Sequence, residues 1–289
     1  MTLITKPTMN AYILLWSLLS LSPALAEAPT SVSALPDADK LQYYANHPLR
    51  SDEHKARNPY RNPVDTLLFF AVAPQHQVLE IWPARGWYTE ILAPYLREQG
   101  QLTIAHHRQF QLDEHDAQQR FWARISQGLS ERIETYPDYF GAVQQLSFDP
   151  PELTQLGQKD SYDRVLSFRN AHIWDQDGSL LQSLRAFYRV LKPGGILGMV
   201  EHRASRLSDI SSIASEGYLD EAYVIRVAES VGFILLERSE INANPLDTRD
   251  HPRGVYNLPP TLVMGSQHSD KYLAIGESDR MTLTFIKPD

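Results

Sequence analysis

Two short segments carry the side chains best suited to proton chemistry. Asn170-Ala171-His172-Ile173-Trp174 follows an apolar run ending at Phe168, and Glu201-His202-Arg203 follows another ending at Val200. An imidazole with a pKa near neutrality takes up and releases protons readily. His172 is therefore the candidate general base, with Asn170 and His202 as candidate catalytic groups beside it. A histidine held by hydrogen bonds inside the fold explains His172 equally well, and Trp174 suits a core position as well as a ligand platform. His172, Glu201 and His202 are metal ligands by residue type, but they lack the spacing of a ligand motif, and no metal is expected.

A second constellation is Glu80-Ile81-Trp82-Pro83-Ala84-Arg85-Gly86: an acid, a tight turn and the beginning of a helix. Small residues let a ligand approach the backbone, and a helix start offers unpaired N–H groups. Glu80, Trp82, Ala84, Arg85 and Gly86 are thus candidate contacts for a nucleotide-like ligand, although a plain structural turn accounts for the pattern equally well. Arg85 either pairs with a ligand carboxylate, blocks the site or points to solvent. Asp149 is either a further ligand contact or the turn residue before Pro150-Pro151. No Gly-x-Ser-x-Gly elbow is present, which argues against a hydrolase of that kind, and no Walker phosphate loop occurs.

These groups must be positioned by an alternation of strands and helices. Apolar runs at 77–82, 102–105, 143–148, 162–168, 196–200 and 233–236 read as strands. Segments 87–97, 113–133 and 180–191, and the stretch after the capping residue Asp220, read as helices. Ser51 followed by Asp52 and Glu53 marks a helix start, and Pro63 opens a helix with Val64, Leu67, Leu68 and Ala71 on one face. Pro94 is expected to kink or end its helix, and Pro193-Gly194-Gly195 to stop another and turn the chain. Residues 242–277 read as a loop-rich insertion, and the alternating stretch 281–286 as an edge strand. The pattern predicts an α/β fold with a doubly wound, mainly parallel sheet covered by helices on both faces. Sites in such sheets lie beyond the carboxyl ends of the strands, where the residues named above fall.

The chain has 289 residues, 43% of them apolar and 21% charged, which fits a globular protein. A net charge of −8 without a basic patch argues against a nucleic-acid partner; a small-molecule substrate is expected. The absence of cysteine excludes disulfides, thiolate metal sites, a cysteine nucleophile and a lipid-modified cysteine. Lys6, the apolar run 11–21 and Ala24-Leu25-Ala26 read as a signal peptide over residues 1–26, starting at Met1 or Met9 and cut after Ala26. The run is too short for an ordinary membrane span, so a periplasmic or secreted product free of the membrane is expected, with an uncleaved anchor as the alternative. Residues 27–62 then form a lead and helical segment, and 63–289 the α/β domain.

With the elements placed, the residues resemble a known group. The matching segments are Val78 to Pro83 with Gly86-Trp87-Tyr88-Thr89-Glu90-Ile91-Leu92-Ala93-Pro94-Tyr95-Leu96, and Arg169-Asn170-Ala171-His172-Ile173-Trp174. Leu191-Lys192-Pro193-Gly194-Gly195, Gly198-Met199-Val200-Glu201-His202-Arg203-Ala204, Asp220-Glu221 and Gly232-Phe233 complete the set. Together they resemble a family of predicted, often exported, bacterial class I S-adenosylmethionine-dependent methyltransferases, over a span from Arg50 to Pro288. The resemblance implies a seven-stranded Rossmann-like sheet whose last strand is antiparallel. It implies S-adenosylmethionine along Glu80, Trp82, Ala84, Arg85 and Gly86, with Asp149 near the adenine and Asn170 and His172 facing the reacting centre. The methyl acceptor is not implied.

The departures are specific. The class places glycines at the alternate positions held here by Trp82, Ala84 and Gly86, and the family usually has glycines at Ala84 and Arg85. An acid usually follows the second strand to hold the ribose, where this chain has His106-His107-Arg108. The family's His-Arg before Asp-Glu is Gly217-Tyr218. They leave open a non-catalytic descendant that binds a small molecule or an envelope protein, and an interaction module that uses the insertion. An open cleft beyond the first strand suits cofactor binding, whereas Trp82 and Arg85 filling that space suits the descendant.

Overall fold

The structure, a computed structural model, describes residues 37–107, 117–205 and 214–289. The expected signal peptide, Arg108 and the first residues of the predicted helix 113–133 lie outside them. Seven strands form one sheet: β1 (Gln77–Ile81), β2 (Gln101–His106), β3 (Gln144–Ser147), β4 (Tyr162–Phe168), β5 (Leu191–His202), β6 (Ile234–Ser239) and β7 (Arg280–Ile286). Their spatial order is β3-β2-β1-β4-β5-β7-β6, parallel through the first five, with β7 antiparallel to both neighbours. This is the predicted mainly parallel sheet. Its order reverses between β1 and β4, which puts the switch point beyond Ile81 and Phe168.

Helices α1 (Asp37–Ala45), α2 (Asp52–Lys55), α3 (Asn58–Arg61) and α4 (Pro63–Phe69) precede the sheet. They are followed by α5 (Thr89–Leu96), α6 (Ala117–Thr135), α7 (Pro137–Phe140), α8 (Ala171–Gln176), α9 (Leu180–Val190), α10 (Glu221–Val231) and α11 (Ser269–Ile275). Alternate strand residues feed two apolar layers because successive side chains point to opposite faces. Val78, Ile104 and Leu166 pack with Leu67, Phe70, Ile91 and Leu129, whereas Leu79, Ile81, Val165 and Met199 pack with Leu184, Phe187 and Val224.

Several start signals hold. Ser51 accepts a hydrogen bond from the His54 amide (3.1 Å), Asp220 accepts one from the Tyr223 amide (2.7 Å), and Pro63 opens α4. Ala71 falls outside α4, in left-handed backbone (φ 48°). Pro94 does not break α5 at its own position, because the Glu90 carbonyl that its missing N–H would have paired accepts from the Tyr139 hydroxyl instead (2.8 Å). Pro193-Gly194-Gly195 lies inside β5, where pairing with β4 skips from Tyr162–Leu191 to Arg164–Ile196 and the residues form an irregularity.

The expectation of an edge strand at 281–286 is corrected. β7 lies between β5 and β6, and β6, with Ile234 and Leu236 exposed, is the edge. The alternation in β7 arises because buried Thr282 is satisfied by Asn242 Nδ2 (3.0 Å), not by solvent. The segment between β6 and β7 is anchored to the domain. Buried Asp247 accepts from the Arg249 and Asp279 amides (2.9 and 2.8 Å), from His251 Nε2 (2.9 Å) and from the Tyr218 hydroxyl (3.3 Å). This delivers residues 277–280 to the carboxyl edge of the parallel strands. No helix among the described residues is long and apolar enough to cross a membrane.

Candidate functional site

The carboxylate of Glu201, at the end of β5, is buried and fully engaged. One oxygen accepts from the Ala171 and His172 amides (2.6 and 3.3 Å), and the other from the His202 amide (2.7 Å) and His172 Nδ1 (2.9 Å). A carboxylate only accepts, so His172 Nδ1 is the donor, and in the neutral ring Nε2 is the nitrogen that keeps a lone pair. This is the arrangement of a general base oriented by an acid. The His202 ring lies 5.4 Å from that of His172, and its Nδ1 is 2.5 Å from Ser278 Oγ. Burial, then His172, Arg169, Arg280 and Arg61, hold His202 well below the ordinary imidazole range, so it is neutral. Asn170 precedes α8, and its Nδ2 donates to the Ile81 carbonyl (3.0 Å), tying the end of β4 to the end of β1. Ligand atoms of His172, Glu201 and His202 come within 4.8 Å of one another, but the Glu201 oxygens already accept four donors and the neighbouring charges are guanidinium groups.

The loop after β1 has an unusual backbone. Trp82, Ala84 and Gly86 all adopt left-handed conformations (φ 45°, 51° and 78°), the three alternate positions where the class places glycine. A Cβ at 86 would in addition lie 2.5 Å from Leu129 Cδ1, so a side chain there would push that leucine aside. Glu80 is buried and accepts from Thr89 Oγ1 (2.7 Å) at the start of α5. Burial pushes its carboxyl up to about 8, so it is neutral at pH 7 and braces the loop from within. Ala84 and Arg85 are exposed, and Arg85 makes no hydrogen bond or ion pair among the described residues.

The Trp82 side chain turns inward. Its Nε1 donates to the Phe148 carbonyl (2.8 Å), and its ring stacks on His107 at 3.6 Å, which stacks on Trp122 of α6 at 4.1 Å. Burial, then His106, pushes His107 down to about 3, so its ring is neutral. Trp174 is fully buried against Phe148 and Phe187, a core position. The Asp149 backbone pairs with Leu153 in both directions (2.8 Å each), closing the Pro150-Pro151 turn. The three-ring stack crosses the ends of β1 and β2 and reaches the end of β3, the space that the resemblance assigns to the nucleoside. The loop backbone therefore suits S-adenosylmethionine, but the nucleoside end does not accept it while Trp82 holds this position. Of the two side chains that could close the space, Trp82 does so and Arg85 does not.

Arg57, Arg61, Arg169 and Arg280, gathered around Glu277 beside this site, were not picked out by residue type or spacing. The one signal was the Arg-Asn-x-His segment, which contains Arg169. A cavity of about 560 Å³, lined by Tyr43, His47, Arg97, Tyr136 and Tyr139 among others, lies at the far end of α5 and includes none of the residues above.

The fold matches solved structures. The [4+2]-cyclase SpnF superposes with a TM-score of 0.54 at 15% identity, over 84% of this chain and 84% of that one. CrArsM, an arsenic(III) S-adenosylmethionine methyltransferase from Chlamydomonas reinhardtii, superposes with a TM-score of 0.52 at 17% identity, over 88% and 74%. The chain has the class I methyltransferase fold. At these identities the likeness is one of fold, and a neighbour named for a cyclisation shows that fold alone does not select the reaction. No family model matches the chain, and no curated protein sequence does.

Proposed function

We propose that this chain is an S-adenosylmethionine-dependent methyltransferase in which His172 takes a proton from a small-molecule acceptor, and that Trp82 leaves the nucleoside end of the site when the cofactor enters. The observation that carries this reading is the left-handed backbone at Trp82 and Ala84. Such a conformation costs a non-glycine residue on the order of 1–3 kcal/mol. The loop keeps a cofactor-cradling shape that its own side chains disfavour. When bound, S-adenosylmethionine supplies a methyl group activated by a sulfonium. The rest belongs to the chain. The loop and the start of α5 present backbone N–H groups, His172 Nε2 receives the acceptor's proton, and Glu201 holds the ring in register. Asn170, by joining the ends of β4 and β1, fixes the base relative to the loop. The signal-peptide pattern of residues 1–26 supports action in the periplasm or outside the cell.

The Trp82 stack favours a second reading, an exported binding protein that has given up catalysis. Calorimetric titration with S-adenosylmethionine and S-adenosylhomocysteine separates the two. Wild type is expected to bind, and Trp82→Ala about tenfold more tightly, a gain of 1.4 kcal/mol from removing the obstruction. If folded wild type and Trp82→Ala both fail to bind either ligand at millimolar concentration, the methyltransferase reading is lost and the binding protein stands.

A further inference from the structure

Four guanidinium groups surround one carboxylate on the same side of the sheet as the His172–Glu201 pair. Glu277, buried, is met by Arg57 Nε at 2.7 Å, Arg61 Nε at 3.0 Å, Arg280 Nη1 at 3.1 Å and Arg169 Nη1 at 3.8 Å. Burial alone would raise the Glu277 carboxyl, yet Arg61, Arg280, Arg169 and Arg57 outweigh it and hold it at about 2. The acid is therefore ionised, and the cluster still carries an excess of positive charge. Two other ion-pair groups differ from it: buried Glu90 is met by Arg50, Arg132 and His54, and Arg203 is met by three acids, Glu221, Glu240 and Asp279.

The excess is not spread evenly. Arg61 also lies over the Trp87 ring (4.7 Å to the centroid), and Arg280 donates to the Ser278 and Tyr60 carbonyls. Those two are held by the scaffold. Arg57 Nη2 is buried without a hydrogen-bond partner among the described residues. Among the described residues Arg169 reaches only Glu277, at a distance beyond a hydrogen bond, and its side chain is 23% exposed. Its backbone is left-handed (φ 64°), an outlier of the kind that clusters at ligand sites. Ser278, which follows Glu277 in the chain, has its Oγ 2.5 Å from His202 Nδ1, and the His202 ring lies 5.4 Å from that of His172, which brings the cluster to the side of the base. Partly desolvated positive charge with unused donors calls for a counter-ion, and the planar guanidinium fork matches an oxyanion.

We infer that Arg57 and Arg169 form the binding site for an anionic group, a carboxylate or a phosphate, on the acceptor. Its role as part of the acceptor rests on the methyltransferase reading; the anion site itself does not. Titration of the full chain with inorganic phosphate and with acetate, at ionic strength matched by chloride, tests it. Wild type is expected to bind at least one of them, the tighter identifying the group. Arg169→Gln and Arg57→Gln should each weaken binding by about tenfold or more, and exposed Arg185→Gln should not. Glu277→Gln, which removes the competing carboxylate, should tighten it, a gain readable even if an arginine variant folds poorly. Wild-type binding of both anions no better than chloride, or unchanged binding by folded Arg169→Gln, overturns the inference. Anion binding without cofactor binding would remove methyl transfer and keep the site; cofactor binding without anion binding would do the reverse.

Discussion

His172 owes its proposed role to a single contact, the hydrogen bond from Nδ1 to Glu201 (2.9 Å). Nitrogen-15 NMR should therefore show Nδ1 protonated and Nε2 bare in wild type, and a mixture of tautomers in Glu201→Gln; a protonated Nε2 in wild type would remove the base. With an acceptor in hand, Glu201→Gln should cost at least about a hundredfold in rate. Glu80 makes a second residue-level prediction, on stability. Its folded pKa is raised to about 8, so its contribution is fully present below the unfolded carboxyl range and is lost as pH rises through 8. Between those limits the loss is at most about 1.4 kcal/mol per pH unit. Urea unfolding at pH 5 and pH 8 should show Glu80→Gln losing less stability than wild type over that interval; equal losses would mean that Glu80 is ionised in the fold. His172 and His202 were legible from their chemistry and their place after strands. The direction of the Trp82 ring was not, because inward and outward rotamers leave the same sequence. Nor was the Arg169–Glu277 pair visible, since no periodicity links positions so far apart.

At the scale of elements, local signals were readable where local physics decides, as at Ser51, Pro63 and Asp220. They misled where a distant partner compensates. Tyr139 takes the carbonyl freed by Pro94, and Asn242 satisfies the threonine that made β7 look like an edge. The segment between β6 and β7 looked loop-rich because its order comes from buried polar contacts, with little apolar periodicity. Asp247 is the centre of those contacts. Asp247→Ala should cost about 3 kcal/mol or more in global stability, because it leaves several buried donors without an acceptor. Hydrogen exchange should speed up across 244–280, including the stretch that carries Glu277. Unchanged exchange there would show that the segment is held by other means.

For the whole molecule, alternating apolar runs and helical periods were enough to predict a doubly wound sheet, and the observed order places the switch point where the candidate residues lie. The reaction is a property of the site. The site joins an oriented histidine, an arginine cluster and a loop with a strained backbone whose tryptophan covers the nucleoside end. Cofactor binding here depends on that tryptophan being a movable cover. A crystal structure of the chain with S-adenosylhomocysteine at saturating concentration tests this most directly. The predicted result is the nucleoside beyond β1 and β2, the loop still left-handed at residues 82, 84 and 86, and the Trp82–Phe148 hydrogen bond broken. An unbroken Trp82–His107–Trp122 stack with no ligand beyond β1 would contradict it.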